Sequence, residues 1–194
     1  VLNSHGDVDH IGEYFKIAEY YPITNLYLNS NSFNSLEKRT VSLAETKKTI
    51  VRKLLRDDYF QLGNFTFHIL NDTYQEENDA STVLFVNIDK FTLLFMGDAG
   101  VKSEQDIINT YDLPQIDILK VGHHGSNTSS SKSFISTIKP KYSLISVGKG
   151  NRYGHPKDSV LDTLSNSKIY RTDKDGSVMF EIKNNKLETW IYNS

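Results

Sequence analysis

Apolar residues recur at Ile11, Tyr14, Phe15, Ala18 and Tyr21. That spacing winds one apolar stripe along a helix, and Pro22 stops it, so the pattern predicts a helix over residues 9–21 with Asp9 at its start. A short strand is predicted over residues 26–28. Ser42, followed three residues later by Glu45, has the form of a capping box and predicts a helix over residues 42–55. Strand-like runs then follow at 59–62, at 65–70 after a Gly63-Asn64 turn, at 82–88, and at 92–96 after Asp89-Lys90, which reads as a β meander. Beyond it the period alternates: helix 103–111, strand 116–121, helix 131–138, strand 142–147, and helix 156–164 with Pro156 in its first turn. Strands at 168–171, 177–182 and 187–192 close the chain, with turns at Asp175-Gly176 and Asn184-Asn185. Sheets with helices outside them are the economical packing of such a series, so the expected class is α/β, in one domain spanning residues 1–194. The opening Val1-Leu2-Asn3-Ser4-His5 reads as the end of a buried strand entering a polar loop, and earlier strands are expected to precede it.

Composition narrows the chemistry more than the fold. With 194 residues, 38 % of them hydrophobic, the chain can bury one ordinary core and is not disordered. Its longest apolar runs, such as residues 91–96, fall far below the ~20 needed to cross a bilayer. The absence of cysteine excludes disulfides, a thiolate zinc site and a thiol nucleophile, so any metal must sit on His, Asp or Glu. No charged and apolar leader is visible at the start. Net charge is −2, yet between residues 118 and 157 stand Lys120, Lys132, Lys139, Lys141, Lys149, Arg152 and Lys157 with no Asp or Glu. Such a stretch is either a solvated face or a surface for an anionic substrate, and the three histidines within it favour the second.

The densest chemistry lies in Ser4-His5-Gly6-Asp7-Val8-Asp9-His10, where four potential metal ligands fall within six positions. A tight loop entering a helix can aim such donors at one point, although Asp and His are also common in turns and at helix starts. Asp98 follows a strand through Gly97, His123-His124-Gly125-Ser126 follows strand 116–121, and Gly154-His155-Pro156 follows strand 142–147. Five of the six histidines thus stand beside glycine at strand ends, where α/β sheets gather their sites. His68 sits inside an alternating strand and reads as structural.

Taken together, His5-x-Asp7-x-Asp9-His10, Gly97-Asp98, His123-His124-Gly125-Ser126 and Asn151-Arg152-Tyr153-Gly154-His155-Pro156 resemble the metallo-β-lactamase superfamily. More narrowly, they resemble the metallo-hydrolase domain at the C-terminus of the ComEC DNA-uptake channel proteins. The resemblance covers nearly the whole chain, including Tyr170-Arg171-Thr172-Asp173. It implies an αββα metallo-β-lactamase sandwich and a pair of divalent ions, Zn²⁺ or Mn²⁺. One ion would be held by Asp9, His10, Asp98 and His155, the other by His5, Asp7 and the shared Asp98. Two departures thin the shell: Asp7 stands where the superfamily usually has a second histidine, and the usual third-motif histidine is absent, with Asn78 in that region. Asp7 shifts the expectation from Zn²⁺ toward Mn²⁺.

The resemblance implies a phosphodiesterase or nuclease in which a hydroxide between two metals attacks phosphorus. Asp9 and His124 then count as catalytic, His124 as proton donor to the leaving oxygen with His123 beside it. Ser126, Asn127, Lys149 and Arg152 would hold phosphate oxygens. The implied substrate is DNA, expected to be single-stranded, during competence-related uptake. The implied setting is the extracytoplasmic face of a membrane, as a domain that makes no lipid contact, with the channel on the same polypeptide; a free-standing form would be cytoplasmic. Two other readings stand beside this one: hydrolysis of a smaller phosphodiester such as a choline phosphate ester, and a non-catalytic DNA-binding or docking module with a degenerate metal site.

Overall fold

A computed structural model of the chain describes residues 1–29, 34–71 and 78–192. The elements run α1 (Val8–Ile11), α2 (Tyr14–Tyr20), β1 (Asn25–Asn29), α3 (Ser35–Thr46), β2 (Ile50–Leu54), β3 (Tyr59–Leu62), β4 (Phe65–Ile69), β5 (Leu84–Ile88) and β6 (Phe91–Phe95). They continue with α4 (Val101–Thr110), β7 (Ile118–Lys120), a 3₁₀ turn (Gly122–Gly125), α5 (Lys132–Ile138), β8 (Tyr142–Ile145), α6 (Asp158–Thr163), β9 (Lys168–Arg171), α7 (Thr172–Asp175), β10 (Ser177–Lys183) and β11 (Lys186–Tyr192).

Strands β3 to β9 form one seven-stranded sheet in sequence order, antiparallel from β3 to β6 and parallel from β6 to β9. Alternation along β5 shows why both faces of it are covered. Val83 and Phe85 point to one side, into a core with Leu94 and Leu119 of β6 and β7 and with Ile107, Phe134 and Val160 from the helices α4, α5 and α6. Leu84 and Val86 point to the other, against Leu54, Ile69, Leu2 and Tyr27. Ile69 lies in β4, whereas Tyr27 and Leu54 belong to a second, parallel sheet of β1 and β2, joined by a bridge from Leu2 to Tyr27. On its far side Leu26 and Leu28 are fully buried against Ile11, Tyr14, Ala18 and Ala44 of α1, α2 and α3. Helices, sheet, sheet, helices is the αββα order expected. The β10–β11 hairpin packs Phe180 on Tyr142 and Tyr170, each ring pair 5.7 Å apart.

Three local expectations are corrected. The helix expected over 9–21 is two helices, parted by a turn at Gly12-Glu13. The helix expected over 42–55 starts seven residues earlier and stops at Thr46. Its cap is Asn34, whose side chain accepts from the Leu36 and Glu37 amides while Glu37 reaches back to the Asn34 amide, a reciprocal box that outcompetes Ser42 and Glu45. Lys48 turns left-handed (φ 61°), the amides of Lys47, Lys48 and Thr49 fold back on the last carbonyls, and the β-branched Thr49-Ile50-Val51 enters β2. Pro156 lies outside α6, whose N-cap is Lys157.

Candidate metal centre

The parallel strands β6, β7, β8 and β9 all end on one edge of the large sheet, and the loops that leave them carry Asp98, His123 and His124, residues 146–157, and Thr172. The loop from Leu2 into α1 arrives at the same edge from the smaller sheet. Gly97 makes the junction possible. Its φ is +54°, and a Cβ there would meet Ser81 Cβ at 2.9 Å and Ser4 Cβ at 3.0 Å. The turn therefore passes directly under the His5 loop and carries Asp98 beneath it, while the Asp98 amide donates to Ser81 Oγ at 3.1 Å.

Around Asp98 the imidazoles converge. Its Oδ1 lies 3.3 Å from His10 Nε2, and its Oδ2 lies 3.8 Å from Nε2 of each of His5, His123 and His124. Asp7 approaches His5 Nε2 at 3.5 Å, and Asp9 approaches His124 Nε2 at 3.0 Å and His10 Nε2 at 3.7 Å. Two groups have ligand atoms close enough to share an ion: His5, His10 and Asp98, and Asp9, His10 and His124. The Nε2 atoms of His5, His10 and His124 and the Oδ1 of Asp98 are buried without a hydrogen-bond partner. Buried polar atoms are rarely left so, and four of them aimed at one locus fit a cation.

Electrostatics agree with the geometry. Burial pushes the Asp98 carboxyl up, but the facing His10, helped by His5 and His124, outweighs it and holds the pKa at about 2. Burial works against the charged form of His10 as well, yet Asp98 and Asp9 raise it above its ordinary value. His5, wholly enclosed, is lowered by burial and by the charge of His10. His155 is lowered by burial and by the nearby Lys157.

His123 and His124 both adopt left-handed backbone (φ 47° and 53°), a conformation costing about 1–3 kcal/mol per residue, which aims both rings at Asp98 from one short turn. Gly125 follows at φ +82°. A Cβ there would strike Pro156 Cβ at 2.5 Å, so only glycine lets this turn touch the 154–156 loop. That contact sets His155 with its ring centre 6.1 Å from His123. A cavity of 480 Å³ opens beside His155, lined by Asp9, His124, Asn151, Tyr153, His155 and Thr172 among others.

All the expected metal-binding side chains reach this edge, but the grouping differs from the one the resemblance implied: His124 joins Asp9 and His10, and His155 stands at the cavity wall. Of the expected substrate contacts, Asn127, Lys149 and Arg152 are exposed, while Ser126 is buried with its hydroxyl accepting from Thr128 Oγ1 at 3.0 Å. The basic stretch divides. Arg152 lies over the ring of Tyr153 and Lys157 reaches the Tyr153 carbonyl on the loop beside the centre, whereas Lys132, Lys139 and Lys141 line a cavity at the opposite edge, where the parallel strands begin. In the third-motif region the Asn78 carbonyl accepts from the Ser81 amide at 3.0 Å, and Glu77 lies outside the described residues. His68 packs between Tyr59 and Phe85 in the sheet.

Some residues of the centre carried no signal strong enough to single them out. Ser4 Oγ stands 3.1 Å from both His5 Nδ1 and His10 Nδ1. His124 Nδ1 is 2.7 Å from the Ser146 carbonyl and His123 Nδ1 is 3.0 Å from Thr128 Oγ1. Lys120 is largely enclosed, its ammonium donating to the Val121 carbonyl at 3.2 Å; burial lowers its pKa and the charge of Asp98 opposes that. The adjacency of Ser4 to His5 was visible, but only the fold shows one hydroxyl between two rings.

Comparison with known proteins decides the family: the metallo-beta-lactamase superfamily profile matches residues 1–149. The chain belongs to the metallo-beta-lactamase superfamily. This chain is 30 % identical over 190 residues to ComE operon protein 3 of Bacillus subtilis (strain 168), covering 95 % of this chain and 24 % of that protein. It is 33 % identical over 193 residues to Recombination protein 2 of Haemophilus influenzae, covering 97 % of this chain and 23 % of that protein. The chain thus spans about a quarter of the length of these relatives. Over 108 residues it is 36 % identical to Competence protein ComA of Neisseria gonorrhoeae, covering 54 % of this chain and 16 % of that protein. These names agree with the competence-type resemblance read from the motifs. Solved structures share the fold: YhfI of Bacillus subtilis at TM-score 0.58 and 13 % identity, covering 88 % of this chain and 73 % of that one. The diiron β-hydroxylase CmlA of Streptomyces venezuelae aligns at TM-score 0.63 and 11 % identity, covering 88 % and 42 %. No helix among the described residues is long and apolar enough to cross a membrane.

Proposed function

We propose that this chain is a divalent-metal-dependent phosphodiesterase that cuts DNA during its uptake, carried on the extracytoplasmic face of a membrane by a channel on the same polypeptide. The observation that carries the reading is the set of buried, partnerless Nε2 and Oδ1 atoms on His5, His10, His124 and Asp98, beside a cavity that His124 and Asp9 help to line. The competence names of the relatives supply the DNA context.

His5, Asp7 and Asp98 on one side, and Asp9, His10 and His124 on the other, would hold two ions. A donor set with three carboxylates suits Mn²⁺ at least as well as Zn²⁺. Bound there, such ions supply an acidified water and a clamp for charge on phosphorus. The chain does the rest. Asp98 presents one oxygen to His10 and the other to the remaining imidazoles, which makes it the natural shared carboxylate. With His124 drawn into the Asp9 group, His123 becomes the imidazole free to deliver a proton from Nε2 to the departing alkoxide, its ring held from behind by Thr128. Lys149 and Arg152 border the path of the strand and offset its charge.

The test is to measure metal bound after gentle purification, then hydrolysis of labelled single-stranded oligonucleotides of increasing length with Mn²⁺ or Zn²⁺ added. The reading expects cleavage that tightens with strand length, weakens with salt, and is lost in Asp98→Ala and His124→Ala while the fold is retained. Equal turnover of short and long diesters would point to a smaller phosphodiester instead. Binding without cleavage under every metal would refute the enzyme and leave a docking module.

A further inference from the structure

The cavity beside Asp9 and His124 has one wall that metal chemistry does not need. Tyr153 is 59 % exposed, although it sits on the loop that positions His155. Its ring lies near-parallel to the His155 imidazole, 17° apart in plane and 5.8 Å between centres. The Arg152 guanidinium lies 4.8 Å from the Tyr153 ring centre, and its Nη2 donates to Tyr153 Oη at 2.6 Å. The loop that bears them is braced rather than loose. Asn151 Oδ1 accepts the His155 amide at 2.9 Å while Asn151 Nδ2 donates to the His155 carbonyl at 2.8 Å, and Lys157 Nζ donates to the Tyr153 carbonyl at 2.7 Å.

From this we infer that Tyr153 and Arg152 form a nucleobase-stacking subsite on the rim of the metal centre, which takes the base next to the phosphate being cut. The inference rests on the phosphodiesterase reading and names its substrate class: a nucleic acid strand rather than a simple diester. An exposed aromatic ring next to a guanidinium offers π surface to a neutral base and positive charge to the phosphates on either side of it, the combination that single-strand-binding grooves use. A choline ester fits the same wall poorly. Its quaternary ammonium would seek the Tyr153 ring but would meet the Arg152 guanidinium over that ring and the Lys157 ammonium at the Tyr153 carbonyl, a like-charge repulsion at the wall itself. The cavity volume of 480 Å³ falls in the range of sites that enclose a molecule of nucleotide size.

The experiment compares two labelled strands on the metal-loaded full chain: an oligothymidylate and a strand of the same backbone carrying abasic tetrahydrofuran units throughout. The native protein should show a KM about tenfold lower on the base-bearing strand, the size of effect that one stacked base supplies. Tyr153→Ala should erase that preference by raising KM on the thymidylate alone, with kcat moving less than twofold; Tyr153→Phe and Tyr153→Trp should keep it. A binding readout independent of cleavage uses EDTA-treated protein and a strand with a single 2-aminopurine: its emission should fall on binding to native protein and not to Tyr153→Ala. Equal KM on both native strands overturns the subsite, as does an equal KM loss on both strands in Tyr153→Ala, which would assign Tyr153 to holding the His155 loop. If neither strand is cut, the phosphodiesterase reading fails, and the 2-aminopurine signal still decides for or against stacking.

Discussion

Replacing Ser4 by alanine removes one oxygen that stands between two candidate ligands, and its expected cost follows from proton counting. Ser4 Oγ is 3.1 Å from the Nδ1 atoms of both His5 and His10. An imidazole can bind a cation through Nε2 only if its proton sits on Nδ1. Ser4 Oγ has two lone pairs and can accept both Nδ1 protons at once, turning both Nε2 atoms toward Asp98 as bare donors. Without the hydroxyl, two buried N–H groups lose their acceptor, at about 1–3 kcal/mol for each that stays unpaired. His5 is fully enclosed and feels the whole penalty; His10 is partly open and recovers some through water. For a chain of this size a net loss of about 1–3 kcal/mol lowers the melting temperature by about 2–12 °C. Metal affinity should fall about 10–100-fold, the usual effect of removing an outer partner of a ligating histidine. Competition against a chromophoric chelator measures the second quantity and thermal melting by circular dichroism the first, with the exposed Ser133→Ala as control. A Ser4→Ala protein that melts lower but binds metal with native affinity would refute the tautomer argument and reduce Ser4 to packing.

Gly97→Ala places a methyl 2.9 Å from Ser81 Cβ and 3.0 Å from Ser4 Cβ at a left-handed φ, so denaturant titration should show a loss of about 2–5 kcal/mol. Asn34→Ala should cost about 1–2 kcal/mol by removing the cap of α3, whereas Asn34→Asp keeps the cap but loses the donation from Nδ2 to the Gly6 carbonyl at 2.9 Å. Stability should therefore separate the two variants, while metal affinity should fall severalfold in both, because Gly6 lies inside the ligand loop. Metal binding should strengthen as pH rises through the raised value of His10, since the ion must displace the proton that Asp98 and Asp9 hold on that ring; Asp98, at about 2, is already charged throughout. Isothermal titration across pH 5.5 to 8.5 in two buffers would check the proton count, and a flat profile would exclude His10 as a ligand.

The αββα order was legible because each strand of the large sheet announces itself by a period of two or a short apolar run, and the helices between β6 and β9 by a period near four. The region from 34 to 54 was not, because two chemically similar capping pairs compete there. Asn34 with Glu37 wins for a reason outside the local sequence: Asn34 also holds Gly6, and Leu26 and Leu28 require a parallel neighbour that β2 supplies. The density of ligands from His5 to His10, and the strand-end placing of Asp98, His123, His124 and His155, survive in the structure because loops after parallel strands share an edge. Which histidine joins which group was not legible. It depends on two consecutive left-handed residues, His123 and His124, that no pattern of side chains announces. The basic stretch misled by half for the same topological reason: its residues alternate between the two ends of parallel strands, so only part of it can face any one site.

The two ligand groups overlap in His10, and that overlap constrains how the centre works. A single Nε2 lone pair cannot serve both groups, so assigning His10 to one leaves the other to be completed by carboxylates. Asp98 is placed for that task, with Oδ1 toward His10 and Oδ2 toward His5, His123 and His124. Its buried carboxylate stays ionised because the rings around it outweigh the cost of desolvation. The two departures from the superfamily pattern then have a common consequence. With Asp7 in place of an imidazole and Asn78 in the third-motif region, the side of the centre built on His5 is richer in oxygen and poorer in nitrogen than the side built on Asp9 and His124. Oxygen-rich shells hold harder, more labile ions than imidazole shells do. The asymmetry therefore lies in the donor chemistry itself, and Asp98 is the carboxylate that faces imidazoles of both halves.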